Sequence, residues 1–204
     1  MRFTHDRHGL PELGAWRAIV GALCLALLAG CAAGRRASVT YHDPNMDFAV
    51  IQTVAVMPFA NLASEKNAGA RVRDMFMTML QATGSVYVLP PGEIGRGISR
   101  VGIDVPEQPA PGQVVALASN VGADVVITGT VLEYGAVRSG ASSANVISVS
   151  VEMMEAELGR VVWSASSTKG GVGAADRLFG SGGQPMNGVT EAAMKDLMNK
   201  LFND

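Results

Sequence analysis

The sequence predicts an α/β fold: a single domain whose mixed parallel and antiparallel sheet packs against three to four helices, in the order β-α-β-α-α-β-β-β-α. Three observations predict it. β-Branched runs alternate with segments of helical period through the middle of the chain, which calls for crossover connections between parallel strands. Two stretches of strict two-residue alternation then follow each other across a glycine, which calls for an antiparallel hairpin. Finally, 204 residues at 48% hydrophobic and 17% charged are too apolar for a disordered chain and long enough to bury one real core.

The chain opens with a segment outside that domain. Residues 1–30 carry a polar stretch ending in Arg17, an apolar run from Ala18 to Ala29, and small residues, which is the layout of a secretory signal. The run falls short of the about 20 apolar residues a spanning helix needs. Arg35 and Arg36 block its extension, so it reads as a cleaved signal rather than an anchor. Leu28, Ala29, Gly30 and Cys31 resemble the bacterial lipobox, which implies cleavage before Cys31, a diacylglyceryl group on its thiol and an acyl chain such as palmitate on the new amine. Each buried methylene contributes about 0.8 kcal/mol, and more than one chain gives stable anchoring to a membrane that the protein does not span. Ala32 stands where, by resemblance to enterobacterial sorting, an Asp would retain the protein at the inner membrane. The expected location is therefore the outer membrane, facing the periplasm. Cys24 leaves with the signal, so the mature chain has no partner for a disulfide.

Residues 31–48 show no periodicity, and Gly34, Asp43, Pro44 and Asn45 favour irregular backbone, so they read as a tether ahead of a domain at 49–204. Val50 to Phe59 (VIQTVAVMPF) is a buried strand closed by Pro58. A helix from Glu65 to Thr83 stacks Ala68, Val72, Met75, Phe76, Met79 and Leu80, leaving Lys66, Arg71, Arg73 and Asp74 outside. Val86 to Leu89 forms a short strand stopped by Pro90 and Pro91, and helices follow over Gly92–Arg100 and Gln113–Val121. Ala123 to Tyr134 is apolar on both faces and so central to the sheet. In Asn145–Glu155, Ile147, Val149, Val151 and Met153 point one way while Ser148, Ser150 and Glu152 point the other. Arg160–Thr168 completes the hairpin, and Val189–Phe202 is the last helix, with Ala193, Leu197 and Leu201 on one side.

Chemistry is mostly absent. The composition has no cluster of basic residues, with 16 Lys+Arg against 18 Asp+Glu, which excludes a nucleic-acid partner. Nucleophilic catalysis needs a positioned base, and the only histidine beyond the signal, His42, falls in the expected tether. One histidine and one acylated cysteine make no metal site, the glycine clusters at 92–97 and 171–173 lack phosphate-loop spacing, and no carboxylate pair reads as a dyad. The sequence assigns no catalytic residue, metal or cofactor. What it offers instead is surface: Met77 falls off the apolar stripe of its helix and is expected exposed beside Arg73, Ser148 and Ser150 line a polar sheet face, and Trp163 is either core or contact.

TVAVMPFAN (53–61), GADVVITGTV (122–131) and VSVEMMEAELGRVVWSAS (149–166) resemble the CsgG/LpoB/PelC-like outer-membrane lipoprotein superfamily over about Val50 to Phe202. The resemblance implies a non-catalytic lipoprotein that assembles with itself or docks on an envelope machine for secretion, polymer export or cell-wall synthesis. Channel members of that superfamily send long hairpins through the bilayer, whose strands need about 9–11 residues each. The link Gly135–Ala144 is too short for that, and KGGVGAADRLFGSGGQP (169–185) lacks apolar alternation, so a pore made by this chain alone is not expected. The alternative is a periplasmic module that binds a small molecule or glycan on the polar sheet face.

Overall fold

The computed structural model describes residues 40–139, 142–171 and 183–203. The strands are β1 (Thr40–His42), β2 (Thr53–Val56), β3 (Ala60–Asn61), β4 (Tyr87–Val88), β5 (Val125–Ser139), β6 (Ser142–Glu155) and β7 (Val161–Gly170). The helices are α1 (Ala68–Ala82), α2 (Pro91–Val101), α3 (Pro111–Val121) and α4 (Met186–Phe202). All seven strands join one sheet in the order β1-β7-β6-β5-β2-β4, with β3 also paired to β5. β5, β2 and β4 run parallel, and β5, β6, β7 and β1 run antiparallel, as the sequence predicts for a mixed sheet.

The crossovers put helices on both faces. On one face, α1 and α4 bury Val54, Ile127, Val149, Val151 and Trp163 beneath Val72, Phe76, Leu80, Met194 and Leu197. On the other, α2 and α3 bury Ala55, Met57 and Val126 beneath Ile94, Val114 and Leu117. Both layers follow from β2 and the start of β5 being apolar at consecutive positions, so each side chain finds a core whichever way it points.

Three features depart from the sequence reading. The strand expected over Val50–Phe59 is confined to Thr53–Val56, and a second one, Ala60–Asn61, starts just beyond it, because Val56 pairs Ile127 while Ala60 pairs Thr130. The stretch Met57-Pro58-Phe59 thus spans one residue more than its partner, a bulge at a proline that cannot donate to the ladder. The ring of Phe59 crosses Gly129 here, where an added Cβ would stand 2.7 Å from it.

The expected tether also contains structure: Thr40–His42 pairs with β7, and the Asp43 amide donates to the Val162 carbonyl at 2.8 Å. The Asp43 carboxylate accepts from the Asn45 amide at 2.9 Å and meets Arg160 at 3.4 Å. Arg160 also donates to Glu155 at 2.6 Å, and that bond raises its pKa above the ordinary arginine value. A three-residue strand carries no visible period, so these tertiary contacts are what make it one. Lastly, within the link at Gly135–Ala144 residues 135–139 and 142–144 are strand, since Ala136 pairs Asn145, Val137 pairs Ala144 and Ser139 pairs Ser142.

The exposure expected of Met77 is corrected. Its side chain is only 4% exposed and belongs to the core. One turn earlier, Arg73 donates through Nε and Nη2 to the carbonyls of Val56, at 3.2 and 2.6 Å, and through Nε to that of Met57 at 2.9 Å. Burial of this guanidinium lowers its pKa. The flank that looked polar is therefore folded down onto the end of β2, and it carries Met77 in with it. Close approach is possible because position 69 is glycine: a Cβ there would stand 2.6 Å from the Phe59 carbonyl oxygen.

Candidate interaction surface

Alternation along β6 sorts its side chains by face, and the register of its neighbours extends that sorting across the sheet. Ile147, Val149, Val151 and Met153 are buried toward α1 and α4. On the reverse face, Thr130 stands opposite Ser150, Thr128 opposite Glu152, Ser148 opposite Thr168 and Ser150 opposite Ser166. Tyr41 of β1 continues this row opposite Ser164 and is 45% exposed. Because α2 and α3 cover only β2 and the start of β5, the reverse face of β6 and β7 lies open. It is an array of short hydroxyl side chains with Glu152 among them, opposite Ser164, and one tyrosine at its edge. The Ser148 and Thr168 hydroxyls lie 3.0 Å apart, so each can also turn to an outside partner.

Of the residues expected at an interface, the structure brings together Ser148 and Ser150 on this open face, both half-buried. Trp163 lies on the opposite face with no exposed surface and is core. Met77 is core as well. Leu28, Ala29, Gly30 and Cys31 lie outside the described residues. His42 sits in β1 with its ring edge-on to Phe48 at 5.4 Å and near Trp163 at 6.4 Å. Among the described residues no three His, Cys, Asp or Glu side chains are grouped to hold a metal ion.

Two concave features escaped the sequence reading. A groove of about 570 Å³ opens at the carboxyl ends of β2 and β3, between Lys66 and Arg73 on the α1 side and Glu107 and Gln108 after α2. It sits where the chain leaves β2 for one face and β4 for the other, the usual crevice of an open α/β sheet. A second groove, of about 200 Å³, runs between Leu62, Ala63 and Ser64 and the flank of β5 from Leu132 to Val137. Leu62, Leu132 and Val137 are 67%, 44% and 38% exposed, an apolar trio on a protein whose other large side chains are mostly inside. The only sequence signal for it is the broken alternation at Leu132, where the β5–β6 register shifts.

The sequence profile of the GNA1162-like lipoprotein family matches residues 47–204. No curated protein sequence matches the chain. Among solved structures, the chain is similar to the PelC dodecamer from Paraburkholderia phytofirmans, at 19% identity and a TM-score of 0.54, over 80% of this chain and 96% of that one. It is likewise similar to lipoprotein GNA1162 from Neisseria meningitidis, at 18% identity and a TM-score of 0.53, over 75% and 99%. At these identities the likeness establishes the fold. Among the described residues, no helix is long and apolar enough to cross a membrane.

Proposed function

The chain belongs to the GNA1162-like lipoprotein family, and from that premise we propose that it is a non-catalytic lipoprotein of the outer membrane, a structural or assembly component of an envelope machine. Cys31 is its anchor, and the domain faces the periplasm. It works by contact, with further copies of itself and with an envelope protein. The observation that carries this reading is the open hydroxyl face of β6 and β7, a sheet surface left bare by its own helices on a fold that PelC uses as a dodecamer. Short hydroxyl side chains allow flat, close packing and leave few long side chains to immobilise, which lowers the entropic cost of association.

A light-scattering mass of the native protein in mild detergent, beside Cys31→Ser, tests both halves. The native protein is expected in the membrane fraction and as a multi-subunit particle, and Cys31→Ser in the soluble fraction. Unchanged membrane retention of Cys31→Ser would remove the anchor, and a monomeric native protein would remove self-assembly. The groove beside Arg73 favours a second reading, a module for a small polar ligand, because its size falls within the range of ligand pockets. A ligand that raises the unfolding temperature, and does not do so in Arg73→Lys, would support it.

A further inference from the structure

At the end of the sheet where β2 and β5 begin, the layer of α1 and α4 leaves a hole. Val54, Ile127 and Met153 of the sheet and Leu80 and Leu201 of the helices are in its lining, which is apolar throughout. The space is about 80 Å³, whereas pockets for small molecules run to about 300–1,000 Å³. It has room for the end of one side chain, and no group to hydrogen-bond a polar one. The mouth is apolar as well. Phe202 of the lining is exposed, and so are Val50 and Tyr87, which adjoin the lining residues Ile51 and Val86 in sequence. A small hole inside an apolar rim suits a knob on a protein surface.

The chain carries such a knob at the same end of the sheet. In the turn between β6 and β7, the Ala156 amide donates to the Asp124 carbonyl at 3.0 Å, just ahead of β5, and the Gly159 amide donates to the Glu155 carbonyl at 3.1 Å. A Cβ on Gly159 would stand 2.5 Å from the Pro111 carbonyl oxygen, so the turn lies against the start of α3, on the side away from α1 and α4. Leu158 in this turn is 63% exposed. The two strands that carry the open hydroxyl face meet here, which puts the knob at the end of that face. Hole and knob thus share one level of the molecule and look out from opposite layers. That is the arrangement of a head-to-tail contact, in which each copy gives its knob to the next and rotation closes a ring.

We infer that Leu158 of one copy seats in the apolar hole of the next, against Phe202 and Val50 at the rim. The occupant is a second copy because one chain carries both halves of the fit, at matching height and beside the face that its own helices leave bare. This contact rests on the self-assembly proposed above and names the side chains that lock it.

The test uses the full protein in mild detergent, sized first by light scattering. Leu158→Cys and Phe202→Cys are then expressed together with different tags and treated with a short bismaleimide, and the native chain sets the background from Cys24 and Cys31. The expected result is a covalent pair carrying both tags, with none above background from either variant alone. Val50→Cys takes the place of Phe202→Cys if that variant fails to fold. Leu158→Asp is expected to unfold at the native midpoint and to run as a smaller particle. Particles of native mass that yield no mixed pair overturn the contact and leave self-assembly standing. So does Leu158→Cys joined to its own counterpart, Phe202→Cys joined to a different envelope protein, or Leu158→Asp assembled at native mass. A monomeric native protein removes self-assembly, and this contact with it.

Discussion

Arg73 and Met77 show how one residue decides what a helix flank faces. A guanidinium normally marks the wet side, yet here it ends on the Val56 and Met57 carbonyls left over where β2 breaks at Pro58. A buried carbonyl needs a donor, and on the β4 side of β2 the last one from the ladder is the Leu89 amide on the Val54 carbonyl, so the Val56 carbonyl takes its donor from Arg73. Met77→Asp should consequently lower unfolding free energy by about 3 kcal/mol or more, because it puts an unpaired carboxylate into a packed core. Urea denaturation reads this directly. A variant that keeps its midpoint while losing self-association would show Met77 on the surface after all. Periodicity could not have found this: α1 reads correctly at Val72, Phe76 and Leu80, but the partner that turns Arg73 inward comes from a strand break earlier in the chain.

At the scale of elements, α4 is tied to β7 by charge as well as by Ala193, Met194 and Leu197. Asp196 accepts from Lys169 at 2.8 Å and meets Lys200 at 2.6 Å, and Lys200, 8% exposed, also donates to the Ser166 carbonyl at 2.6 Å. Burial by itself would raise the Asp196 carboxyl, but the hydrogen bonds from both lysines outweigh it and hold the group at about 2 against an ordinary 3.8. A depressed carboxyl stabilises the fold fully above its unfolded pKa and loses that contribution as pH falls through the folded one. The stability of the protein should thus fall between about pH 4 and pH 2, and Asp196→Asn should flatten that part of the curve. At neutral pH the variant should cost about 1.5–3 kcal/mol, since hydrogen bonds to a charged partner are lost and Lys200 stays buried. Thermal unfolding across the acid range checks both, and an unchanged acid limb would mean that the trio carries no net stability.

The same scale shows what sequence makes legible. The β5–β6–β7 meander and its polar face are written in the alternation of Ile147, Ser148, Val149 and Ser150, because a strand with one core has only one way to sort such residues. Helices α2 and α3 are legible as well, although each begins one or two residues before the expected Gly92 and Gln113, at Pro91 and Pro111, which suit a first turn where no N–H is needed. By contrast, β1 and β3 are too short to show a period and exist through pairing alone. The end of β5 beyond Tyr134 reads as a link because Gly135, Ala136 and Ser139 carry no β propensity, whereas its partner strand does the ordering.

For the whole molecule, the question is which surface meets the next copy. The open face offers Ser148, Ser150, Ser164, Ser166 and Thr168 in register, and the acid nearest to them is Glu152, two residues along β6 from Ser150. Ser150→Glu places a second carboxylate on the same face of the strand, where like charges repel and a long charged side chain must be desolvated on contact. Inside the monomer it is tolerated, since Ser150 is half-buried on the side that α2 and α3 leave bare. The variant should unfold at the native midpoint and yet run as a smaller particle by light scattering, with Ser150→Ala retaining the native mass. If Ser150→Glu assembles as the native protein does, the hydroxyl face is simply wet. Assembly would then have to use the apolar flank of Leu62 and Leu132, where Leu132→Asp becomes the variant that separates the copies.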